Sequence, residues 1–502
     1  MNKKFDLLIV LLSAVIITLL FHRQVLGLNL FLFEIILFLG FIVFKQYKFS
    51  GKNQLTFAIG FLLTSLFTVL THSVFSYFIH FIALIVFIGA AIYPEVKSTL
   101  NSIALSFSNL VFSQIRFTKE LTHSSVKGYK FSGFIRKFKL FVIPLVIILL
   151  FIFIYRMSNP VFDKLFGSFG LFFQKYFGGF FQNFDALIIV TFIIGLIISN
   201  FLFLRTQDEQ IIKDDLKSNV DLERKRSIRK NIKLIALKNE YKAAIFLLIM
   251  LNAILFIVNA IDVNWIWFNF KWEGQYLKQF VHEGTYLLIL SILISIALVL
   301  YFFRGNINFY SNNKLLKYLS YIWIAQNGIL TVSVAIRNFY YIDYFSLAYK
   351  RIAVIIFLAL TIYGLYTVLI KVKQRKSTFF LFKSNSYAIY VMLVCCSLIN
   401  WDSIIAQYNF KHANKSFLHL NYLSTLSDKS LPYLDKSLTE LSEIDKIQKE
   451  KFTFEQKYMK PETYFHIIEK RKISFIHKWE SKSLLSWNLP EYLAYKKLKE
   501  TH

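Results

Sequence analysis

Continuous apolar runs constrain this chain more than any other feature. They cover residues 7–21, 25–44, 55–70, 74–93, 140–155, 186–204, 243–261, 285–303, 318–336, 352–370 and 387–399. A bilayer crossing needs about 20 apolar residues, with a working range of roughly 17–25. Hydrocarbon offers no partner to an unpaired backbone N–H or C=O, so such runs are expected to fold as helices. A membrane β-barrel would show alternating segments of about ten residues, and these runs are unbroken. The expected fold is therefore all-α. Residues 1–400 form a polytopic transmembrane bundle of about eleven spans, and residues 401–502 a small helical extramembrane region.

The first run follows Lys3 and Lys4 and has the length and charge of a signal peptide. It lacks a small-residue cleavage site and a second run follows at once, which makes it an uncleaved first helix. Pro144 falls inside the fifth run and predicts a kink, because proline removes a backbone donor. The last run has only thirteen residues, so whether it crosses decides the side on which the tail lies.

Charge sets the expected orientation. With a cytoplasmic N-terminus, the inside segments carry 32 Lys and Arg and the outside loops 9. The inverted arrangement would reverse those totals, against the positive-inside rule. Eleven spans then put the C-terminal region outside. The formal net charge is +28. No base-reading or phosphate-cradling motif accompanies it, so the reading is basic loops facing anionic lipid and not nucleic acid.

Residues 99–115 place Leu100, Ile103, Phe107, Leu110 and Val111 on one side. Asn101, Ser102, Ser106, Ser108, Asn109 and Ser113 fall mostly on the other, as in an amphipathic helix lying on the membrane or on the bundle. Residues 161–181, rich in Phe and Gly, suggest a second such element. The basic loop 205–242 reads as a solvated cytoplasmic segment, with docking of a protein partner as its functional alternative. The tail has helical spacing over 428–449 and is punctuated by Pro432, Pro461 and Pro490; it is the other place for a protein partner.

Polar residues inside apolar runs require an explanation, since an ionisable group at mid-membrane costs at least about 2.5–3.5 kcal/mol. Glu34, His80, Gln326 and Asn327 are the candidate intramembrane polar residues, beside Asn252 and Asn259. For Asn and Gln the plain reading is interhelical hydrogen bonding. A second group sits at run ends on the expected outer side: His282, Glu283, Arg337, Asn338, Asp343, Lys350, Arg351 and Asp402. These read either as head-group anchors or as one polar pocket where spans eight to eleven meet. Adjacent His282 and Glu283 do not make a metal site, and no H-E-x-x-H, Walker loop or G-x-S-x-G elbow is present. No metal, cofactor or catalytic residue is expected. Cys395 and Cys396 are neighbours and cannot staple distant segments.

Several stretches are nonetheless distinctive: W-E-G-Q-Y-L-K-Q-F-V-H-E-G-T from Trp272, Y-F-F-R-G-N-I-N-F from Tyr301, L-S-Y-I-W-I-A-Q-N-G from Leu319, R-N-F-Y-Y-I-D-Y-F-S-L-A-Y-K-R-I from Arg337 and N-W-D-S-I-I-A-Q-Y-N from Asn400. Together they resemble a bacterial family of multi-pass membrane proteins catalogued as a domain of unknown function, number 4173, related to number 4153. The likeness is clearest over residues 240–440. It implies a bacterial cytoplasmic membrane and carries over no catalytic residue. The expected class is an integral membrane protein of undetermined activity, more a non-enzyme than an enzyme. The alternatives are a transporter or channel-like protein for a small or lipidic solute, a non-catalytic sensor or scaffold, and, more distantly, an enzyme acting on lipid or envelope intermediates.

Overall fold

The computed structural model describes residues 3–43, 51–123, 155–169, 185–224, 230–270, 276–303, 305–452 and 459–500, with short pieces between 125 and 152. Among these, helices dominate. A two-residue antiparallel ladder pairs Ser125–Val126 with Tyr129–Lys130. Six helices are long and apolar enough to cross a membrane: Asn53–Thr71, Val74–Ile92, Leu237–Phe268, Lys314–Phe345, Tyr349–Gln374 and Thr378–Ser397. Four shorter apolar helices are Asp6–Phe21, Leu28–Val43, Leu187–Phe203 and Tyr286–Phe302. This inventory is compatible with an integral membrane protein. The run 140–155, with Pro144, lies largely outside the described residues, as does much of 161–181.

The N-terminal half is built from α1 (Lys3–Phe21), α2 (Leu28–Val43), α3 (Lys52–Thr71), α4 (Val74–Ile92), α5 (Thr99–His123) and α6 (Ala186–Phe203). α1 and α6 run antiparallel. His22 meets Asp185 at 2.9 Å at one end, and Gly195 lets α6 approach Ala14 so closely that a Cβ there would lie 3.0 Å from the Ala14 carbonyl. α4 begins with a capping box in which Ser73 and Ser76 satisfy each other's backbone N–H.

α5 is longer than the amphipathic stretch in the sequence, and its polar side is the one that packs inward. Ser102, Ser106, Asn109 and Ser113 are buried, whereas Leu100, Phe107, Leu110 and Val111 are exposed. Ser102 Oγ donates to the Val86 carbonyl at 2.8 Å, and Asn109 Nδ2 to the Phe201 carbonyl at 2.9 Å. Small side chains let backbones approach and hydrogen-bond across helices. On α4, a Cβ at Gly89 would overlap the Ser102 carbonyl. The helix thus lies across α4 and α6, with its apolar side facing away from the bundle.

After α7 (Glu209–Lys217), the second half comprises α8 (Lys230–Asp262), a π-helical turn Val263–Phe268, α9 (Tyr276–Phe302), α10 (Lys314–Phe345) and α11 (Tyr349–Gln374). Leu248, Leu255, Ile292, Val299, Leu316 and Leu330 centre its core. α12 (Thr378–Ser397) joins the halves, packing on α11 and on α3, α4 and α5. Gly60 on α3 makes room for the Tyr390 hydroxyl of α12.

The tail folds as α13 (Trp401–Lys411), two four-residue turns (Leu420–Leu423, Leu431–Leu434), α14 (Leu438–Lys451), α15 (Pro461–Glu480) and α16 (Leu489–Glu500). The helical spacing over 428–449 is thus interrupted at 435–437, where Ser437 caps α14. Leu431, Leu434, Leu441, Tyr464, Ile468 and Leu498 share a core that also takes Ile352 from α11.

The connections sort onto two ends of the bundle. At one end Asp215 accepts from the Lys97 backbone N–H at 3.1 Å, and Lys376 meets Asp221 at 2.6 Å. At the other the tail covers three turns. Leu28 N–H donates to the Trp487 carbonyl at 2.9 Å, Phe417 N–H to the Tyr344 carbonyl at 2.6 Å, and Lys429 Nζ to the Thr71 carbonyl at 2.7 Å and the His72 carbonyl at 3.2 Å. Lys429 is buried and stands at the C-terminus of α3, where the helix dipole favours a cation. Asp402 lies 3.6 Å away. Lys429→Met leaves the Asp402 charge without its cation and two carbonyls without a donor, and is expected to weaken tail docking by about 3–5 kcal/mol. Hydrogen exchange should then quicken across 401–500 while the core of α3 and α4 stays protected; unchanged exchange in the tail would refute this role.

Candidate functional site

α10 ends where Ser346 adopts φ 65°, a left-handed conformation that a residue with a Cβ holds only when neighbours enforce it. Arg351, in the first turn of α11, supplies that enforcement. Its Nη1 donates to the Phe345 carbonyl at 2.7 Å and to that of Ser346, and its guanidinium stacks 4.5 Å from the Tyr341 ring centre. Asn338 Nδ2 donates to the Arg351 carbonyl at 3.1 Å. From the tail, Asn409 clamps the turn twice, accepting from Leu347 N–H at 2.8 Å and donating to its carbonyl at 3.0 Å.

Between this turn and the tail lies a cavity of about 410 Å³, within the range of small-molecule sites. Asn338, Lys350 and Arg351 line it together with Tyr286, Tyr349, His419 and Tyr422. Aromatic and aliphatic groups such as Tyr341, Phe345, Val354 and Phe417 complete the wall. Lys350 is exposed and has no ion-pair partner among the described residues. Behind the wall, Tyr349 donates to Asp402 Oδ1 at 2.7 Å, and Asp402 Oδ2 accepts from Ser427. The Tyr422 hydroxyl accepts from Tyr349 N–H at 3.3 Å, and burial pushes its pKa up. Burial lowers the pKa of Lys429, with Asp402 opposing the shift.

Of the eight run-end residues singled out from the sequence, three share this cavity. Asp402 lies one hydrogen bond behind it, and Asp343 is exposed, its carbonyl accepting from Ser416 at 2.5 Å. Arg337 points elsewhere, buried against Asp262 at 2.6 Å. The side chains of His282 and Glu283 lie outside the described residues.

The intramembrane candidates form two separate groups. Glu34 and His80 meet at 3.3 Å, with Thr64 on the other side of the imidazole at 3.1 Å. Gln326 Nε2 donates to Asn252 Oδ1 at 2.7 Å, and Asn259 Nδ2 to the Gln326 carbonyl at 3.0 Å, tying α8 to α10. Among the described residues the Asn327 side chain bonds within its own helix, to the Trp323 carbonyl at 2.8 Å. Among the described residues no group of three or more His, Cys, Asp or Glu could hold a metal.

The family description "Domain of unknown function (DUF4153)" matches residues 7–437. The chain belongs to this family. The motifs quoted from the sequence point first to number 4173 and to 4153 as its relative; the match is to 4153, and it reaches far N-terminal of residue 240. No curated protein and no solved structure shows significant similarity to the chain. The DUF4153 match ends within the tail, beyond Asp402 and Lys429, so it takes in the described lining of the cavity.

Sequence reasoning missed Asp262, Tyr349, His419, Tyr422 and Lys429. Asp262 had a legible signal: it closes the seventh apolar run as Arg337 closes the ninth, so a parallel pair of helices brings opposite charges together. Glu491 was also missed. It receives Asn488 Nδ2 at 2.8 Å and Lys482 Nζ, and His72 Nε2 stands 3.4 Å away. Burial pushes its pKa up, but the hydrogen bonds from His72, Lys482 and Asn488 outweigh that and hold it at about 2, against an ordinary 4.5. A depressed carboxyl pKa contributes stability above the unfolded value and loses it as pH falls. The advantage of the parent over Glu491→Gln, about 1.5–3 kcal/mol at neutral pH, should shrink below pH 4.5 and vanish near pH 2. Calorimetric melting of both proteins across that window tests it; a constant difference would exclude the ionised contact.

Proposed function

We propose that this chain is a multi-pass integral membrane protein whose tail-side cavity receives the head of an anionic amphiphile. The observation that carries the reading is Lys350: an exposed cation on the wall of a mainly aromatic and aliphatic cavity, without an ion-pair partner among the described residues. Arg351 adds positive potential while being held in place by the carbonyls it caps. An anion with a hydrocarbon body matches that lining, since a low-dielectric wall strengthens attraction to a nearby cation. Tyrosines suit such a position because their rings join apolar and wet surroundings. The reading is one of binding, followed by moving or sensing what is bound; no covalent step is part of it.

The reading includes about eleven crossings of a bacterial cytoplasmic membrane, with the N-terminus and basic loops inside and the tail outside. The ten apolar helices, the run 140–155 and the distribution of Lys and Arg support it. Single cysteines at Lys217 and Lys478, both exposed, in a background lacking Cys395 and Cys396, test it. An impermeant maleimide applied to right-side-out vesicles should label Lys478→Cys and spare Lys217→Cys. The opposite pattern inverts the orientation, and labelling of both or neither site rejects the span count.

For the cavity, purified protein in neutral nanodiscs would be titrated with a long-chain alkyl phosphate and with an uncharged alkyl glycoside of equal length. The phosphate should protect Lys350 from amine acylation. Lys350→Ala should weaken phosphate binding about tenfold, the scale of one charge-assisted contact, while Lys350→Arg retains it. Equal affinity for the two head groups would end the anionic reading.

A further inference from the structure

α1, α2, α4, α5 and α6 enclose a second cavity, a crevice of about 450 Å³. Phe33, Phe81, Phe107 and Ile194 give its wall its character, and three side chains with polar ends reach it: Glu34, Ser106 and Thr191. Two of those are committed. Ser106 donates to the Ile85 carbonyl, and Thr191 to the Leu187 carbonyl at 2.7 Å. Glu34 is buried, and its Oε2 has no hydrogen-bond partner among the described residues.

The neighbours of Glu34 determine what could satisfy that oxygen. Thr64 Oγ1 lies 2.8 Å from the Gly60 carbonyl and 3.0 Å from the Phe61 carbonyl. A hydroxyl has one proton to give, and either carbonyl can take it. With that proton on a carbonyl, the oxygen is free to accept from His80 Nδ1, 3.1 Å away. One further proton lies between His80 Nε2 and Glu34 Oε1, which are 3.3 Å apart. With that proton on either atom of the pair, Glu34 Oε2 keeps its lone pairs for a donor. An occupant that satisfies it must bring a donor, and leaving it unmet carries the cost of a buried, unpaired polar atom. No other ionisable side chain lines the crevice.

We propose that this crevice is a binding site for an amphiphile with one hydrocarbon chain and a hydrogen-bond-donating head, the head resting on Glu34 Oε2. A bilayer can supply plain hydrocarbon to any apolar groove; what Glu34 adds is selection for the donor. The two heads that fit are a hydroxyl and an ammonium. An ammonium gains when the shared proton sits on His80 and leaves Glu34 charged, and a hydroxyl serves either placement.

The test is photolabelling of the full chain in nanodiscs with a long-chain alcohol bearing a diazirine. Labels should map to α2, α5 and α6. The unlabelled alcohol should compete about tenfold better than its methyl ether, which has the same chain and no donor. The corresponding amine is the third competitor: better competition than the alcohol's supports the site with an ammonium ligand, and equal or weaker competition supports it with a hydroxyl. Glu34→Leu should abolish the preference over the ether while the chain still labels. Should that variant fail to fold, Ile194→Trp fills the crevice from α6 and should abolish labelling altogether. Equal competition by alcohol and ether in the parent protein overturns the proposal, as does labelling that maps elsewhere or survives Ile194→Trp.

Discussion

Polar groups buried among apolar helices have to find their partners inside the protein, because hydrocarbon supplies none. That constraint organises both halves of this chain. It turns the serines and asparagines of α5 inward against α4 and α6 carbonyls. It joins α8 to α10 through Asn252, Asn259 and Gln326. It seats Arg337 on Asp262, where removal of either partner would strand a buried charge. The pattern is not complete: one oxygen of Glu34 is shared with His80, and its other oxygen, like one each of Asn259, Asp262 and Gln326, has no donor among the described residues.

The tail is held by the same logic at its boundary with the bundle. Helix ends expose carbonyls that no residue of the same helix can satisfy. Lys429 meets those at the end of α3, Phe417 and Ser416 meet those at the end of α10, and Trp487 offers its own carbonyl to the start of α2. Most of these contacts use backbone atoms on one side, so they require position more than a particular pair of side chains. Glu491 adds a charged contact to the α3–α4 turn and makes the docking sensitive to acid.

Docking also creates the cavity. α10 and α11 supply Asn338, Lys350 and Arg351, but the opposite wall is Asn409, Phe417, His419 and Tyr422. Without the tail these cations would stand at an open helix end, where water screens them. Arg351 is held by carbonyls and an aromatic ring of α10 itself, and with the tail docked Lys350 faces a walled cavity. The division of labour follows from geometry: the arginine sits under the turn it caps, one residue beyond the lysine.

The helical fold, the positions of most of its apolar helices and the identity of the polar outliers were legible in the sequence, because run length and the cost of burying charge are local properties. Glu34, His80, Gln326, Arg337 and Lys350 stood out for that reason. Their pairings were not legible. Glu34 finds His80 across 46 residues and Arg337 finds Asp262 across 75, and such matches depend on which helices lie side by side. The α5 stripe shows the same limit: its two-sidedness is written in the spacing, but the direction it faces is set by the carbonyls of α4 and α6. Lys429 was one of 17 basic residues in a tail with no strong charge bias. Only the packed structure, by placing an unfinished helix end next to it, made that lysine different from the other sixteen.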